Sequence, residues 1–143
     1  MKHYKFLEHK ADVLFEARGA SFERALEAAA QALFDTMAKT SKLKETKKVK
    51  IKQSAQSLEE LVVFTLGALL SESDANELFF KRFNVNKFKA ERGGFKIEGV
   101  AVGEKEKSGC GGTVVKAVTF HELRVIKPTG KDKEWKIRVL LDV

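Results

Sequence analysis

The chain has 143 residues, of which 43% are hydrophobic and 33% charged, and this composition predicts one globular domain, residues 1–143, that buries roughly 70% of its unfolded surface. No stretch approaches the ~18 apolar residues of a membrane span, no signal-peptide run follows the first residues, and a single cysteine excludes an intramolecular disulfide framework and favours the reducing cytoplasm. The formal net charge is +7, and much of the positive excess lies in residues 39–52 and 81–96. Three explanations stay open: a solvated basic face, lysines that protect sheet edges, or contact with RNA or an acidic protein.

The first half of the chain alternates strand and helix patterns. Residues 13–18 alternate in polarity, which predicts a half-buried strand. Ser21 is a suitable N-cap for a helix whose apolar residues recur at steps of three and four from Phe22 to Met37. Residues 47–53 alternate lysine with β-branched residues, which predicts a strand with one face in water.

A second helix is predicted after Ser57-Leu-Glu-Glu60, a sequence that fits a capping box. In that motif the serine hydroxyl accepts from the amide of residue 60, and the carboxylate of Glu60 reaches back to the cap. The apolar stripe that follows, from Leu58 to Leu69, is wide enough to predict burial on more than one side of the helix.

The second half of the chain is predicted to be mostly strand. Gly93-Gly94 marks a hairpin turn, and residues 103–112 have the glycine, lysine and glutamate content of a flexible loop. The strand candidates are residues 78–83, 88–98, 114–125 and 135–143. Together these patterns predict an α+β fold, with two helices packed on a largely antiparallel β-sheet.

Two carboxylates lie at the ends of predicted strands. Asp12 directly precedes the first strand, and Asp142 ends the last strand beside the α-carboxylate of Val143. Acidic groups held so close repel each other and call for a cation or a strong donor. If the two strands are neighbours, Asp12, Asp142 and Val143 form an oxygen site suited to Ca²⁺ or Mg²⁺. The alternative is that Asp12 caps a turn and Asp142 is an exposed end residue.

Other chemistries have less support in the sequence. Residues 109–112 are glycine-rich but lack the Lys-Ser/Thr of a phosphate-binding loop. Lys116, within an apolar run, either points outward or lies against a carboxylate, where it could engage a phosphate or a partner's carboxylate. The residues that could ligate zinc lack the paired spacing of a zinc site: His3, His9, His121 and Cys110.

Five segments, in order along nearly the whole chain, together resemble the archease family. They are His-Lys-Ala-Asp at residues 9–12, the helix start at 19–21, Ser-Leu-Glu-Glu-Leu-Val-Val-Phe at 57–64, Val-Lys-Ala-Val-Thr-Phe-His at 115–121, and the strand at 135–143. The resemblance implies a small cytoplasmic accessory protein that promotes the guanylylation and turnover of an RtcB-type tRNA-splicing RNA ligase and is not itself an enzyme. The ligase is the expected partner; an indirect encounter with tRNA and no membrane partner are further expectations, and direct contact with RNA stays open. The resemblance also implies a metal site, usually for Ca²⁺, at Asp12, Asp142 and Val143, with Lys116 close by.

Three positions depart from the family's usual pattern. Lys10 replaces a threonine, which removes a hydroxyl and adds a cation beside the implied site. Phe120 replaces a tyrosine, and Ser57 stands where an acidic residue is common, so no ligand is assigned at the start of the second helix. Two other functions stay open: a basic RNA-binding or chaperone-like module, and a small metal-dependent hydrolase that uses Asp12 and Asp142.

Overall fold

Two antiparallel β-sheets enclose two helices in the computed structural model, which describes residues 3–9 and 11–143. The first sheet has the strand order β1-β2-β7-β6, and the second has the order β3-β5-β4. The α+β class is confirmed, with the strands divided between two sheets. In chain order the elements are β1 (Tyr4–Leu7), β2 (Val13–Gly19), α1 (Phe22–Met37), a 3₁₀ helix (Thr40–Lys42), β3 (Lys47–Ala55), α2 (Leu58–Asn76), β4 (Leu78–Glu91), β5 (Gly94–Lys105), β6 (Ala117–Ile126) and β7 (Trp135–Asp142).

Helix α1 contacts β2 and β7 of the first sheet and β4 of the second. Its predicted cap is confirmed, because the Ser21 hydroxyl accepts from the Arg24 amide at 3.2 Å. The strand before it approaches closely because Gly19 has no side chain; a Cβ there would lie 2.3 Å from the Ala25 nitrogen. Buried alanines allow this close packing on several sides of the helix: Ala25, Ala28, Ala29, Ala30 and Ala32.

Helix α2 contacts all three strands of the second sheet and also β6 of the first. The predicted burial on more than one side is confirmed, since Leu61, Val62 and Val63 are consecutive and all buried. At its start the Glu60 amide donates to the Ser57 hydroxyl at 3.1 Å, as predicted. The Glu60 carboxylate accepts from the Gln56 amide at 3.2 Å, one residue before the cap. No helix in the described part of the chain is long and apolar enough to cross a membrane.

The strand predictions are confirmed in outline and corrected at several boundaries. Two predicted strands merge into β4, whose pairing with β5 shifts register twice, once near residue 81 and once near residue 86. Strand β5 extends into the predicted loop, where a Cβ on Gly103 would lie 2.0 Å from the Phe79 carbonyl oxygen. Strand β6 begins only at Ala117, because the amides of Gly112 and Thr113 are bound to carbonyl groups at the end of α1. Strand β1 was not predicted, since its sequence, Tyr-Lys-Phe-Leu, is short and does not alternate in polarity. Its burial does not alternate either.

Candidate functional site

Three strand ends meet at one edge of the first sheet. Strand β7 lies between β2 and β6 and is antiparallel to both, so the start of β2, the end of β7 and the start of β6 are neighbours. The outermost β2–β7 pair is Val13 with Leu141, which places Asp12 across from Asp142. On the other side of β7, the amide of Lys116 donates to the Asp142 carbonyl oxygen at 2.7 Å. We call this region, with residues Asp12, Lys116, Asp142 and Val143, the strand-end edge.

The two aspartates of the strand-end edge belong to the same side of the sheet. Side chains alternate along a strand and face the same way in directly opposed pairs. Asp12 and Asp142 are therefore in phase with the buried pair Leu14 and Leu140. The Val143 side chain packs against the hydrophobic core. Because a valine side chain has no oxygen, this residue can offer only main-chain oxygen to a cation.

His9 joins this edge to a bulge in β6. Its Nε2 lies 2.9 Å from Oε2 of Glu122, and its Nδ1 lies 3.9 Å from Oδ2 of Asp12. The second distance is too long for a hydrogen bond. Glu122 has a positive φ of 55° within the register shift between Thr119 and Arg124, and this bulge brings its carboxylate to His9.

The sequence analysis missed the contribution of Glu122. Residues 114–125 were predicted as one strand, and nothing in their pattern marks the bulge that moves residue 122 out of register. The only sequence signal was the adjacency of His121 and Glu122. His9 was considered only as a weakly supported zinc ligand, yet it contacts a glutamate beside the predicted site.

Lys116 lies outside the strand in which it was predicted. It precedes β6 and its side chain is exposed, so of the two alternatives the structure shows the outward one. Within residues 3–9 and 11–143, no ion pair involves its ammonium group. An exposed lysine whose main chain is fixed to Asp142 presents a free charge at the strand-end edge, where a phosphate or a carboxylate could reach it.

The donor chemistry of the edge fits a hard cation. Two side-chain carboxylates and main-chain oxygen are the oxygen donors that Ca²⁺ and Mg²⁺ prefer, with water completing the shell. In the described ranges no group of three or more His, Cys, Asp or Glu residues is placed to hold a metal ion. The predicted set contains only two such side chains, so main-chain oxygen and water would supply the other ligands.

The remaining predicted residues lie elsewhere or outside the description. Cys110 is buried with Ala38 and Leu43 in a small separate cluster and does not join the histidines. Ser57 is the N-cap of α2. Phe120 is exposed in the first sheet, next to the bulge of β6. The predicted effect of Lys10 on the site concerns a position outside the described residues.

Comparisons with known proteins agree on one family. The family model of the Archease protein family matches residues 4–143. A protein archease of Methanosarcina mazei is 34% identical over 144 residues, which cover 99% of this chain and 97% of that protein. The solution structure of a protein from Methanobacterium thermoautotrophicum matches with a TM-score of 0.86 and 32% identity over 100% of both chains.

A crystal structure of an archease from Thermotoga maritima, described as a possible chaperone, shares the fold. Its TM-score is 0.60 at 22% identity, and the match covers 97% of this chain and 96% of that chain. Identity this low supports the architecture alone. The fold of two helices and two antiparallel sheets is therefore common to these proteins.

Proposed function

Since the chain belongs to the archease family, we propose that it is an accessory protein that promotes the guanylylation and multiple turnover of an RtcB-type tRNA-splicing RNA ligase. One observation supports this proposal most. Three of the five segments that resemble the family, residues 9–12, 115–121 and 135–143, are far apart in sequence. One residue from each of them, Asp12, Lys116 and Asp142, lies at the strand-end edge. Their convergence gives these motifs one shared location at which a partner could be engaged.

In this proposal Asp12, Asp142 and the main-chain oxygen of Val143 hold a divalent cation, Ca²⁺ or, as the alternative, Mg²⁺. The cation would neutralise the repulsion between the two carboxylates and hold them together at this end of the sheet. Lys116 adds an exposed ammonium group. Its main chain is held at this edge because its amide donates to the carbonyl oxygen of Asp142. Its role is to bind a phosphate or a carboxylate of the ligase.

The chain itself is proposed to be an activator and not a catalyst. A covalent nucleophile needs a base within hydrogen-bonding reach. His9 instead contacts carboxylates, and Cys110 is buried beside Ala38 and Leu43. The ligase would form the guanylate intermediate and join the RNA. A single buried, reduced cysteine suits the cytoplasm, where we place the protein.

A single-turnover guanylylation assay tests this function. The protein, at sub-stoichiometric amounts, should speed the labelling of an RtcB-type ligase by GTP, and alone it should neither become labelled nor join RNA. Asp12→Ala and Lys116→Ala should each lose the stimulation while circular dichroism shows an unchanged fold. Asp74→Ala and Lys127→Ala are matched controls, because both residues are exposed and lie outside the strand-end edge.

Three outcomes would contradict the proposal. If the parent protein gives no stimulation, the ligase function is wrong. If the Asp12 and Lys116 variants stimulate as the parent does, the strand-end edge is not the surface that acts on the ligase. If the isolated chain hydrolyses a phosphoester with turnover that Asp12→Ala abolishes, the hydrolase alternative is favoured.

A further inference from the structure

The outer side of the second sheet gathers lysines from two distant parts of the sequence. Residues on this side alternate with inward residues such as Ile51, Ile97 and Phe83, which are buried in the core beneath the helices. The register aligns four rows across β3, β5 and β4: Lys48–Val102–Arg82, Lys50–Val100–Asn84, Lys52–Glu98–Lys87 and Ser54–Lys96–Lys89. We call this surface the lysine face, defined by Arg82 and six exposed lysines: Lys48, Lys50, Lys52, Lys87, Lys89 and Lys96.

The positive charge of the lysine face is only partly neutralised. Glu98 lies 3.6 Å from Lys52, and Glu91 lies 3.5 Å from Lys96. The carboxylate of Glu45 accepts two hydrogen bonds from Arg82, at 2.8 and 2.9 Å. Seven cations thus face three carboxylates, which leaves an excess of four positive charges out of the formal net charge of +7.

The lysines of this face are available to a ligand. The side chains of Lys52 and Lys96 are 72% and 60% exposed even though each has an acidic neighbour. Exposed pairs of this kind contribute little free energy, so a polyanion can displace the carboxylate. In the described part of the chain, the ion pairs of the face involve Lys52, Arg82 and Lys96, and four members have no ion pair: Lys48, Lys50, Lys87 and Lys89.

Protection of the sheet edges does not account for this arrangement. Lysine on an edge strand discourages pairing with another chain, and β3 and β4 are the edge strands of this sheet. Lys96, however, lies on the central strand β5, which has a partner on both sides. The charge therefore spans the width of the sheet and belongs to its face.

The surroundings of the lysines distinguish between two kinds of acidic partner. Protein interfaces take most of their binding energy from buried aromatic and apolar anchors. The large exposed hydrophobic residues of the described chain all lie away from this face: Phe6, Phe64, Val114, Phe120 and Ile126. Lysine binds phosphate as a point charge. Recognition of single-stranded bases relies on stacking against aromatic side chains, which this face does not present.

We propose that the lysine face binds the phosphate backbone of RNA without selecting a base sequence. The choice of RNA rests on the proposed function, because the partner ligase acts on RNA. The helices lie between the two sheets, so the lysine face looks away from the first sheet and its strand-end edge. The protein could therefore hold RNA on one side while the strand-end edge engages a partner.

Binding of the isolated protein to a fluorescein-labelled RNA hairpin, followed by fluorescence anisotropy, tests this proposal. Affinity should fall linearly on a log–log plot as salt rises from about 50 to 200 mM. The triple variant Lys50→Gln, Lys52→Gln, Lys89→Gln should bind at least about tenfold more weakly at low salt, with the salt slope reduced by about two to three, since each phosphate contact contributes close to one.

A matched triple variant controls for the loss of net charge. Lys127, Lys131 and Lys133 are exposed residues around the connection between β6 and β7, outside the lysine face. Their combined change to glutamine removes the same charge and should leave RNA affinity within about twofold, because phosphate contacts act locally under screening salt. Circular dichroism and thermal melting would confirm that both triple variants fold.

Three results would overturn the proposal. One is the absence of RNA binding by the parent protein at about 50 mM salt. Another is an equal loss of affinity in the two triple variants, which would reflect net charge alone. The third is tighter binding of a labelled polyglutamate peptide than of the RNA hairpin, which would assign the face to an acidic protein. Because no ligase is present, each result is independent of the guanylylation assay.

Discussion

The strand-end edge and the lysine face differ in how much depends on each residue. At the strand-end edge, Asp12, Lys116 and Asp142 lie at or next to the ends of three different strands and each occurs once, so no other residue can replace a lost one. On the lysine face, lysine recurs across the sheet, and several neighbouring lysines are proposed to contact phosphate groups. The edge should therefore fail with a single substitution, whereas the face should weaken in steps.

Removal of one carboxylate from the strand-end edge should have the largest effect. Asp142→Ala, or deletion of residues 142–143, takes oxygen donors from a proposed site that has only two side-chain carboxylates, so Ca²⁺ binding should become undetectable by calorimetry. Asp142 is exposed, and Asp142→Ala leaves the apolar side of β7 intact, so this variant should retain the fold. The deletion also removes the core contact of Val143, so the substitution is the cleaner test. Unchanged Ca²⁺ affinity would reject the assignment, and a collapsed fold would show that these residues are structural. RNA binding should be unaffected.

A close backbone contact between β4 and β5, within the second sheet, should also be sensitive to a single substitution. In Gly103→Ala the new Cβ would lie 2.0 Å from the Phe79 carbonyl oxygen, so β4 and β5 must move apart. We expect the free energy of unfolding to fall by about 3 kcal/mol, measured by urea denaturation. Gly67→Ala is the matched control, because nothing lies within 4 Å of its Cβ in α2, and it should stabilise the protein by about 0.5 to 1 kcal/mol. Equal effects of the two changes would contradict the close approach.

Successive substitutions on the lysine face should reduce RNA affinity in steps. Lys50→Gln alone should weaken binding by about two- to threefold, and addition of Lys89→Gln should weaken it by a similar factor, because separate phosphate contacts are nearly independent. Anisotropy titrations at one fixed salt concentration measure both steps. Complete loss of binding with the first substitution would mean that the face is a specific site like the edge, which would remove the contrast between the two regions.

The smallest expected effect is a pH dependence of stability at the end of β5. The carboxylate of Glu104 accepts from the backbone amide of Lys44 at 2.5 Å and lies 3.0 Å from the ammonium group of Lys107. The hydrogen bond from the Lys44 amide, and to a smaller extent the hydrogen bond from Lys107, hold the pKa of Glu104 below its ordinary value of 4.5. Because the pKa is lower in the folded state, Glu104 stabilises the fold above its ordinary pKa and loses this contribution as the pH falls through the folded-state pKa.

Melting temperatures of the parent and of Glu104→Gln, measured from neutral to acidic pH, test this prediction. The parent should melt at the higher temperature at neutral pH, and the difference should shrink as the pH falls below about 4.5. A difference that persists at acidic pH would show that the contact is not electrostatic. The Ca²⁺ affinity of the strand-end edge at neutral pH should be the same in both proteins.

Local chemistry was enough to predict most elements of this fold. Apolar periodicity identified α1 and α2, alternation identified β2, β3 and β7, and both serine caps are confirmed because each depends on a few neighbouring residues. The hairpin between β4 and β5 was also predicted, from Gly93-Gly94. In the structure Gly93 adopts a positive φ of 87° at this turn. The sequence also identified the family, through motifs whose order along the chain is preserved.

Other features were decided by the tertiary structure. The division into two sheets, the joining of β4 across two bulges and the pairing of β1 depend on contacts between residues distant in sequence, which no local pattern records. The same holds for both functional regions. Asp12 stands opposite Asp142, and Glu122 reaches His9, only because of the register of the first sheet and the bulge in β6. Residue type and local pattern set which residues carry charge and which segments form strands. Strand order and register decide which of those charges lie together, because long-range pairing and the packing of both sheets on the helices set them.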